Sequence, residues 1–238
     1  MSVDNEENQS AVRFWLGDEV KLLFPDRSFP IIFDVGANSG RVSLQLARVF
    51  PEAQITCFEP APVAYSRLTD ALSSVTGRAT LVNAALGGRE GKVMFTTVHG
   101  MGNRVIEVSE DIPKSAVCVE VMAGDSYCER NGVLQIDLLK IDTEGFDLDC
   151  LVGFSQMLRE RRIFLIEVEA TTNLDNRFHV HLERFIHWLH PFGYRIASIG
   201  DFERRIYKTN QSMRGAWFCN ALFVLEHEDA KLRRDGRN

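Results

Sequence analysis

The chain has 238 residues, 45% hydrophobic and 25% charged, with a formal net charge of -6; this is globular composition, and it excludes a disordered chain. The acidic balance argues against bulk nucleic-acid binding, and apolar runs such as residues 29–33 and 163–166 are too short to cross a bilayer. The acidic start, Asp4-Asn5-Glu6-Glu7, is unlike a secretory signal, and the five scattered cysteines form no Cys-x-x-Cys pair, so a soluble cytoplasmic protein without disulfides or a thiolate zinc site is expected.

Residues 1–9 are polar. Ala11, Phe14, Trp15, Val20, Leu23 and Phe24 then have helical spacing, with Ser10 as N-cap and Pro25 as the stop. A βα alternation follows. Ile31-Ile32-Phe33-Asp34-Val35 reads as a strand buried on both faces. Residues 40–50 read as a helix stopped by Pro51, 54–58 as a strand, 62–74 as a helix and 80–83 as a strand. Residues 92–98 and 116–122 alternate, which suggests an antiparallel hairpin inserted in the α/β pattern. The pattern resumes with a strand at 136–142, one helix over 146–160, a strand at 163–168, a helix over 178–190, and strands at 194–199 and 217–225. Strands alternating with helices predict an α/β fold with helices on both faces of a seven-stranded parallel sheet. One domain over 31–226 is expected, with a helical extension at 1–30 and a charged tail at 227–238.

The turn after the first strand is Asp34-Val35-Gly36-Ala37-Asn38-Ser39-Gly40. Open parallel sheets bind ligands at the carboxyl ends of their strands, near the switch in strand order. A dinucleotide site there calls for Gly-x-Gly-x-x-Gly, and only two glycines are present. Asp34 is ill placed beside a pyrophosphate, but suits a ligand with positive charge or free hydroxyls. Glu59 of Phe58-Glu59-Pro60 ends the second strand about twenty residues on, the usual position for a ribose-binding acid. Asn83 and Ala84, after the third strand, leave room for a flat base, although Asn83 is equally an ordinary turn residue.

With Leu139-Lys140-Ile141-Asp142-Thr143-Glu144-Gly145, these segments resemble, in order and spacing, the FkbM family of S-adenosylmethionine-dependent methyltransferases. The resemblance runs from about residue 31 to 225. It implies a Rossmann-like methyltransferase sheet whose last strand is antiparallel, and methyl transfer to a hydroxyl of a sugar, glycolipid or natural product. It also implies that the turn containing Gly36, Asn38, Ser39 and Gly40 cradles the amino-acid end of S-adenosylmethionine, with Asp34 and Asp142 nearby. Glu59 and Pro60 would border the ribose, and Asn83 and Ala84 the adenine. Two places depart from the family pattern, Ala123-Gly124-Asp125 and Asp147.

Asp142, Glu144 and Glu167 are the candidate catalytic residues. Asp142 could hold the cofactor's amino group or orient the acceptor, and Glu144 could serve as general base. Glu167 and Glu169 at the end of the fifth strand could join Asp142 around Mg²⁺ or another divalent cation, or simply face solvent. His179 and His181, placed at a helix start, are candidate bases or solvated residues. Residues 100–115 and 200–215, the latter with Arg204, Arg205, Lys208 and Arg214, are candidate substrate lids. The competing readings are a nicotinamide-dependent oxidoreductase and a non-catalytic cofactor-binding homologue. A nucleic-acid methyltransferase is disfavoured by charge and by the absence of an Asn-Pro-Pro-Tyr-type motif.

Overall fold

The computed structural model describes residues 16–75, 77–96, 104–106, 116–204 and 216–226. The chain opens with α1 (Leu16–Leu23), β1 (Ile31–Val35), α2 (Arg41–Val49), β2 (Gln54–Phe58), α3 (Pro62–Ala71) and β3 (Ala79–Val82). A second group follows: β4 (Ala85–Leu86), β5 (Gly91–Thr96), β6 (Arg104–Ile106), β7 (Ala116–Met122) and α4 (Gly124–Asn131). The last part contains β8 (Ile136–Ile141), α5 (Asp147–Val152), α6 (Ser155–Arg159), β9 (Ile163–Ala170), α7 (Leu182–Leu189), β10 (Tyr194–Arg204) and β11 (Ala216–Leu225).

The main sheet has seven strands in the order β10-β11-β9-β8-β1-β2-β3. All are parallel except β11, which runs antiparallel to both its neighbours. This is the sheet implied by the family resemblance. Strand order reverses between β1 and β8, so the ligand-binding crevice of such a fold lies at their carboxyl ends.

Side-chain alternation sends each strand's residues to two cores. Phe33 and Val35, Leu139 and Ile141, and Ile166 and Val168 pack with Phe154, Leu158 and Phe185 on one face. Ile32, Leu138 and Leu165 pack with Leu46, Phe50, Phe29 and Val20 on the other. The segment 16–30, expected as an extension, is thus part of the domain's own core. Arg27 pairs with the buried Asp137 at 3.4 Å, and the Ser198 hydroxyl donates to Glu19.

Several elements differ from the sequence reading. The insertion is a second sheet, β4-β7-β5-β6, in which β4 pairs parallel with β7. α4 was not expected; it is polar and buries only Gly124, Tyr127 and Cys128. The single helix expected over 146–160 is broken into α5 and α6. At the break, a Cβ on Gly153 would stand 2.3 Å from the Gly87 carbonyl oxygen, so the backbones meet there. The helix expected from 178 begins only at Leu182, and β10 runs five residues past 199. Ser10, Phe14 and Trp15 lie outside the described residues.

Gly36 has φ +77°, and a Cβ there would lie 1.9 Å from the Asp142 carbonyl oxygen. Gly36→Ala is therefore expected to destabilise the protein by more than about 2 kcal/mol, from left-handed strain plus displacement of the β8 end. Urea unfolding measures this, and a change within about 0.5 kcal/mol would contradict the close approach.

Candidate active site at the carboxyl ends of β1, β8 and β9

The parallel register sets Asp34 beside Lys140, and Lys140 beside Glu167. All three point to the α2 side of the sheet and are nearly or fully buried. Lys140 Nζ lies 3.1 Å from Asp34 Oδ1 and 3.4 Å from Asp142 Oδ2. Burial alone disfavours the ammonium, but the charges of Asp34, Asp142 and Glu167 outweigh it and hold its pKa above the ordinary lysine value. Ser43 Oγ, in the first turn of α2, donates to Asp34 Oδ2 at 2.5 Å. One lysine faces three carboxylates, so the cluster is net negative. It opens to solvent through Asp142, whose side chain is 42% exposed.

Asp34 was expected to touch a ligand. It is wholly buried, with its carboxylate against Ser43 and Lys140. Glu167 joins the same cluster through the charge of Lys140. Asp142 and Glu167 thus surround a resident cation, Lys140, and do not gather with Glu169 around a vacant position.

The rest of the cleft edge is built by Glu59. Its Oε2 accepts from the Asn38 amide and its Oε1 from the Ala61 amide, both at 2.8 Å. Burial raises the Glu59 pKa, and these two hydrogen bonds oppose the rise. Asn83 donates from Nδ2 to the carbonyl oxygens of Glu59 and Pro60, at 2.8 and 3.2 Å. The Asn83 amide nitrogen therefore holds the β2 turn, whatever its oxygen faces. Asn38 is exposed, Gly36, Ser39 and Pro60 are half-buried, and Gly40 and Ala84 are buried. Asn38, at φ +49°, and Gly40, at φ +78°, are both left-handed.

The turn 142–145 is fixed from below by Asp147, a residue whose role the sequence did not disclose. Its Oδ2 accepts from Thr143 Oγ1 at 2.9 Å and from the Thr143 and Gly145 amides at 3.3 Å. Its Oδ1 accepts from the Glu169 amide at 3.3 Å, tying the turn to β9. Burial, then the charge of Asp142, pushes its pKa up to about 7. The turn places Glu144, exposed and at φ +54°, on the rim.

A further group was missed in part. His179 Nε2 lies 2.8 Å from Glu169 Oε2, and its Nδ1 lies 2.8 Å from Asn176 Nδ2. One ligand atom each of Glu144, Glu169 and His179 lie within 4.8 Å of one another, spacing that a cation could accept. His179 precedes α7 in a loop pinned by Thr171, which bonds the backbone of both Val180 and Leu182. His181 sits at the α7 N-cap position. Residues 205–215 and most of 100–115, including Arg205, Lys208 and Arg214, lie outside the described residues, as does the Arg204 side chain.

The family model for the methyltransferase FkbM domain matches residues 34–196, from the first acid of the cleft to β10. The chain belongs to this family. Three relatives agree. The 2-O-methyltransferase NoeI of Sinorhizobium fredii is 28% identical over 153 residues, 58% of this chain and 63% of that protein. The hexuronic acid methyltransferase AglP of Haloferax volcanii is 24% identical over 154 residues, 64% of this chain and 62% of that protein. The methyltransferase sdnD of Sordaria araneosa is 30% identical over 164 residues, 54% and 62% respectively. The matches thus span less than two thirds of each relative. Every cleft residue described above from Asp34 to His179 falls inside the FkbM match.

The raised pKa of Asp147 has a signed consequence. Unfolded, the carboxyl titrates near pH 4; folded, it holds its proton up to about 7. The stability this adds is full below about pH 4 and is lost as pH rises through about 7. The unfolding free energy of the wild type relative to Asp147→Asn is therefore expected to fall across that window and level off above it. Urea titrations at several pH values test this, and a difference that rises with pH would contradict it.

Proposed function

We propose that the protein transfers a methyl group from S-adenosylmethionine to a hydroxyl of a sugar, glycolipid or related small molecule. The observation that carries this reading is the net-negative cleft edge inside an FkbM domain: Glu59 and Asp142 reach it, and Asp34, Lys140 and Glu167 lie behind it. A cationic, phosphate-free cofactor suits that charge. A nicotinamide dinucleotide would bring its pyrophosphate to the same carboxylates.

The residues fit the cofactor on a lone-pair count. A carboxylate offers about four acceptor sites, and Glu59 commits one on each oxygen to the Asn38 and Ala61 amides. Sites for two ribose hydroxyls remain. The half-exposed Asp142, oriented by Lys140, would hold the ammonium of the amino-acid end, and the turn through Gly36, Asn38, Ser39 and Gly40 would border it. Ala84 and Asn83 would border the adenine. When bound, the cofactor supplies an electrophilic methyl on a sulfonium. The chain's own work is to align the acceptor oxygen, exclude water and take the hydroxyl proton. Asp142 and Glu167 set the field around Lys140, and Glu144 borders the acceptor entrance. The hexuronic acid acceptor of AglP supports a sugar over nucleic acid, and the 2-O-methyltransferase NoeI supports transfer to oxygen; the net charge of -6 also disfavours nucleic acid.

Glu59→Gln should weaken S-adenosylmethionine binding by about tenfold or more, because the amide's N–H₂ faces an amide donor of Asn38 or Ala61 and one acceptor oxygen is lost. Calorimetry on wild type and variant tests this. Equal affinity would remove Glu59 from the cofactor site.

A further inference from the structure

The proton acceptor of such a site is the least obvious part, because Glu144, Glu169 and His179 all stand near it. The hydrogen bonds of Asn176 remove His179 from the three, and the two carboxylates differ in that Glu169 is held by His179 whereas Glu144 is exposed on the rim. Asn176 is buried. Its Oδ1 accepts from the backbone amides of Phe178 and His179, at 2.9 and 3.2 Å. Two N–H groups aimed at one side of the amide fix which end is oxygen. The other end, the N–H₂ group, therefore faces His179 Nδ1 at 2.8 Å. A donor opposite Nδ1 requires that nitrogen to be the bare, accepting one, so the imidazole proton sits on Nε2 and points to Glu169 Oε2. Packing holds the ring in place, with its centroid 4.9 Å from that of Phe218.

We infer that Asn176 locks His179 in the Nε2–H tautomer, and that Glu169, oriented by this hydrogen bond, is the general base for the acceptor hydroxyl. The inference rests on the methyltransferase reading and names the residue that completes it. His179 is a positioning residue, because its only bare nitrogen is turned into the protein. Glu169 stands at the end of β9, in the mutual field of Asp142. Asp147 holds its backbone amide, and the same Asp147 holds the turn that carries Glu144. As the acceptor oxygen bonds the methyl carbon, its O–H proton passes to a Glu169 oxygen, and the carbon–sulfur pair leaves on the thioether sulfur. The same tautomer argues against a metal at Glu144, Glu169 and His179. A metal-bound Nε2 would put the proton on Nδ1, where metal-site histidines normally meet an acceptor. Here that nitrogen meets a donor. Burial opposes a second proton on His179. Glu169, Glu144 and Asp147 favour one and raise its pKa, but the added proton would also have to sit on Nδ1, against the Asn176 N–H₂.

Nitrogen NMR on ¹⁵N-histidine-labelled protein at pH 8 reads the tautomer without any ligand, with His179 assigned by its loss in His179→Gln. The expected result is a bare Nδ1 and a protonated Nε2, with Asn176→Asp adding a proton at Nδ1 to give the imidazolium. An imidazolium or an Nδ1–H tautomer in the wild type, or a tautomer displaced by added Mn²⁺, would overturn the inference. Turnover is read as S-adenosylhomocysteine release with a panel of methyl glycosides of hexoses and hexuronic acids. Glu169→Gln should lose about 100-fold or more in kcat, with S-adenosylmethionine affinity within about twofold of wild type. His179→Gln, whose amide can still donate to Glu169, should lose less. Retained turnover in Glu169→Gln would overturn the assignment of the base. Failure of the wild type to bind S-adenosylmethionine would instead overturn the proposed function, leaving the tautomer result standing.

Discussion

A buried row of unlike charges constrains the rest of the molecule. In parallel strands with a period of two, Asp34 on β1, Lys140 on β8 and Glu167 on β9 fall in one line across the sheet, on one face. An ammonium taken out of water is stable only with close carboxylates, and each carboxylate likewise needs the lysine. A slip of one residue in any of the three strands would turn a charge into the core that holds Phe33, Leu139 and Ile166. The row therefore specifies register as well as electrostatics. It lies at the carboxyl edge, where the strand order reverses and where a parallel sheet offers a crevice. Fold and site share the same residues at this point.

The loops above the row are held to it by carboxylates used as backbone acceptors. Glu59 ties the β1 turn to the β2 turn through the amides of Asn38 and Ala61. Asp147 ties the β8 turn to β9 through Thr143, Gly145 and Glu169. The left-handed residues Gly36, Asn38, Glu144 and Gly145 occur in these turns, where the chain must reverse within hydrogen-bonding reach of a neighbour. Gly145 also supports the loop carrying His179, since a Cβ there would meet the Phe178 carbonyl oxygen at 2.0 Å. The site is thus a set of short loops pinned to rigid strand ends, an arrangement suited to alignment.

The sequence disclosed what is local and periodic. β1, β2 and β7 were placed to the residue: the apolar runs of β1 and β2 stop at Gly36 and Glu59, and the alternation of β7 ends just before Ala123-Gly124. The Asp34–Gly40 turn, Glu59 and Asp142 were legible as a cleft because motif and strand end coincide. What was missed depends on distant partners. Asp34 lies in the motif turn, but its partners Lys140 and Ser43 come from β8 and α2, and no spacing in the sequence announces them. α4 has a weak apolar face, and the break between α5 and α6 comes from Gly153 meeting Gly87. Glu169 was read as a metal candidate and His179 as a base or a solvated residue at a helix start. Their pairing needs the loop 171–181 to fold back, which no spacing in the sequence announces.

The central claim is that Asp34 and Lys140 act as one unit on which the cleft-bearing strand ends depend. A double-mutant cycle of Asp34→Asn and Lys140→Met, read as unfolding free energy in urea, tests it directly. Lys140→Met alone should cost about 3–5 kcal/mol, because it leaves buried carboxylates without their counter-charge. The double variant should cost far less than the sum of the two single changes. Losses that add would show that the two residues contribute separately, and would contradict the account.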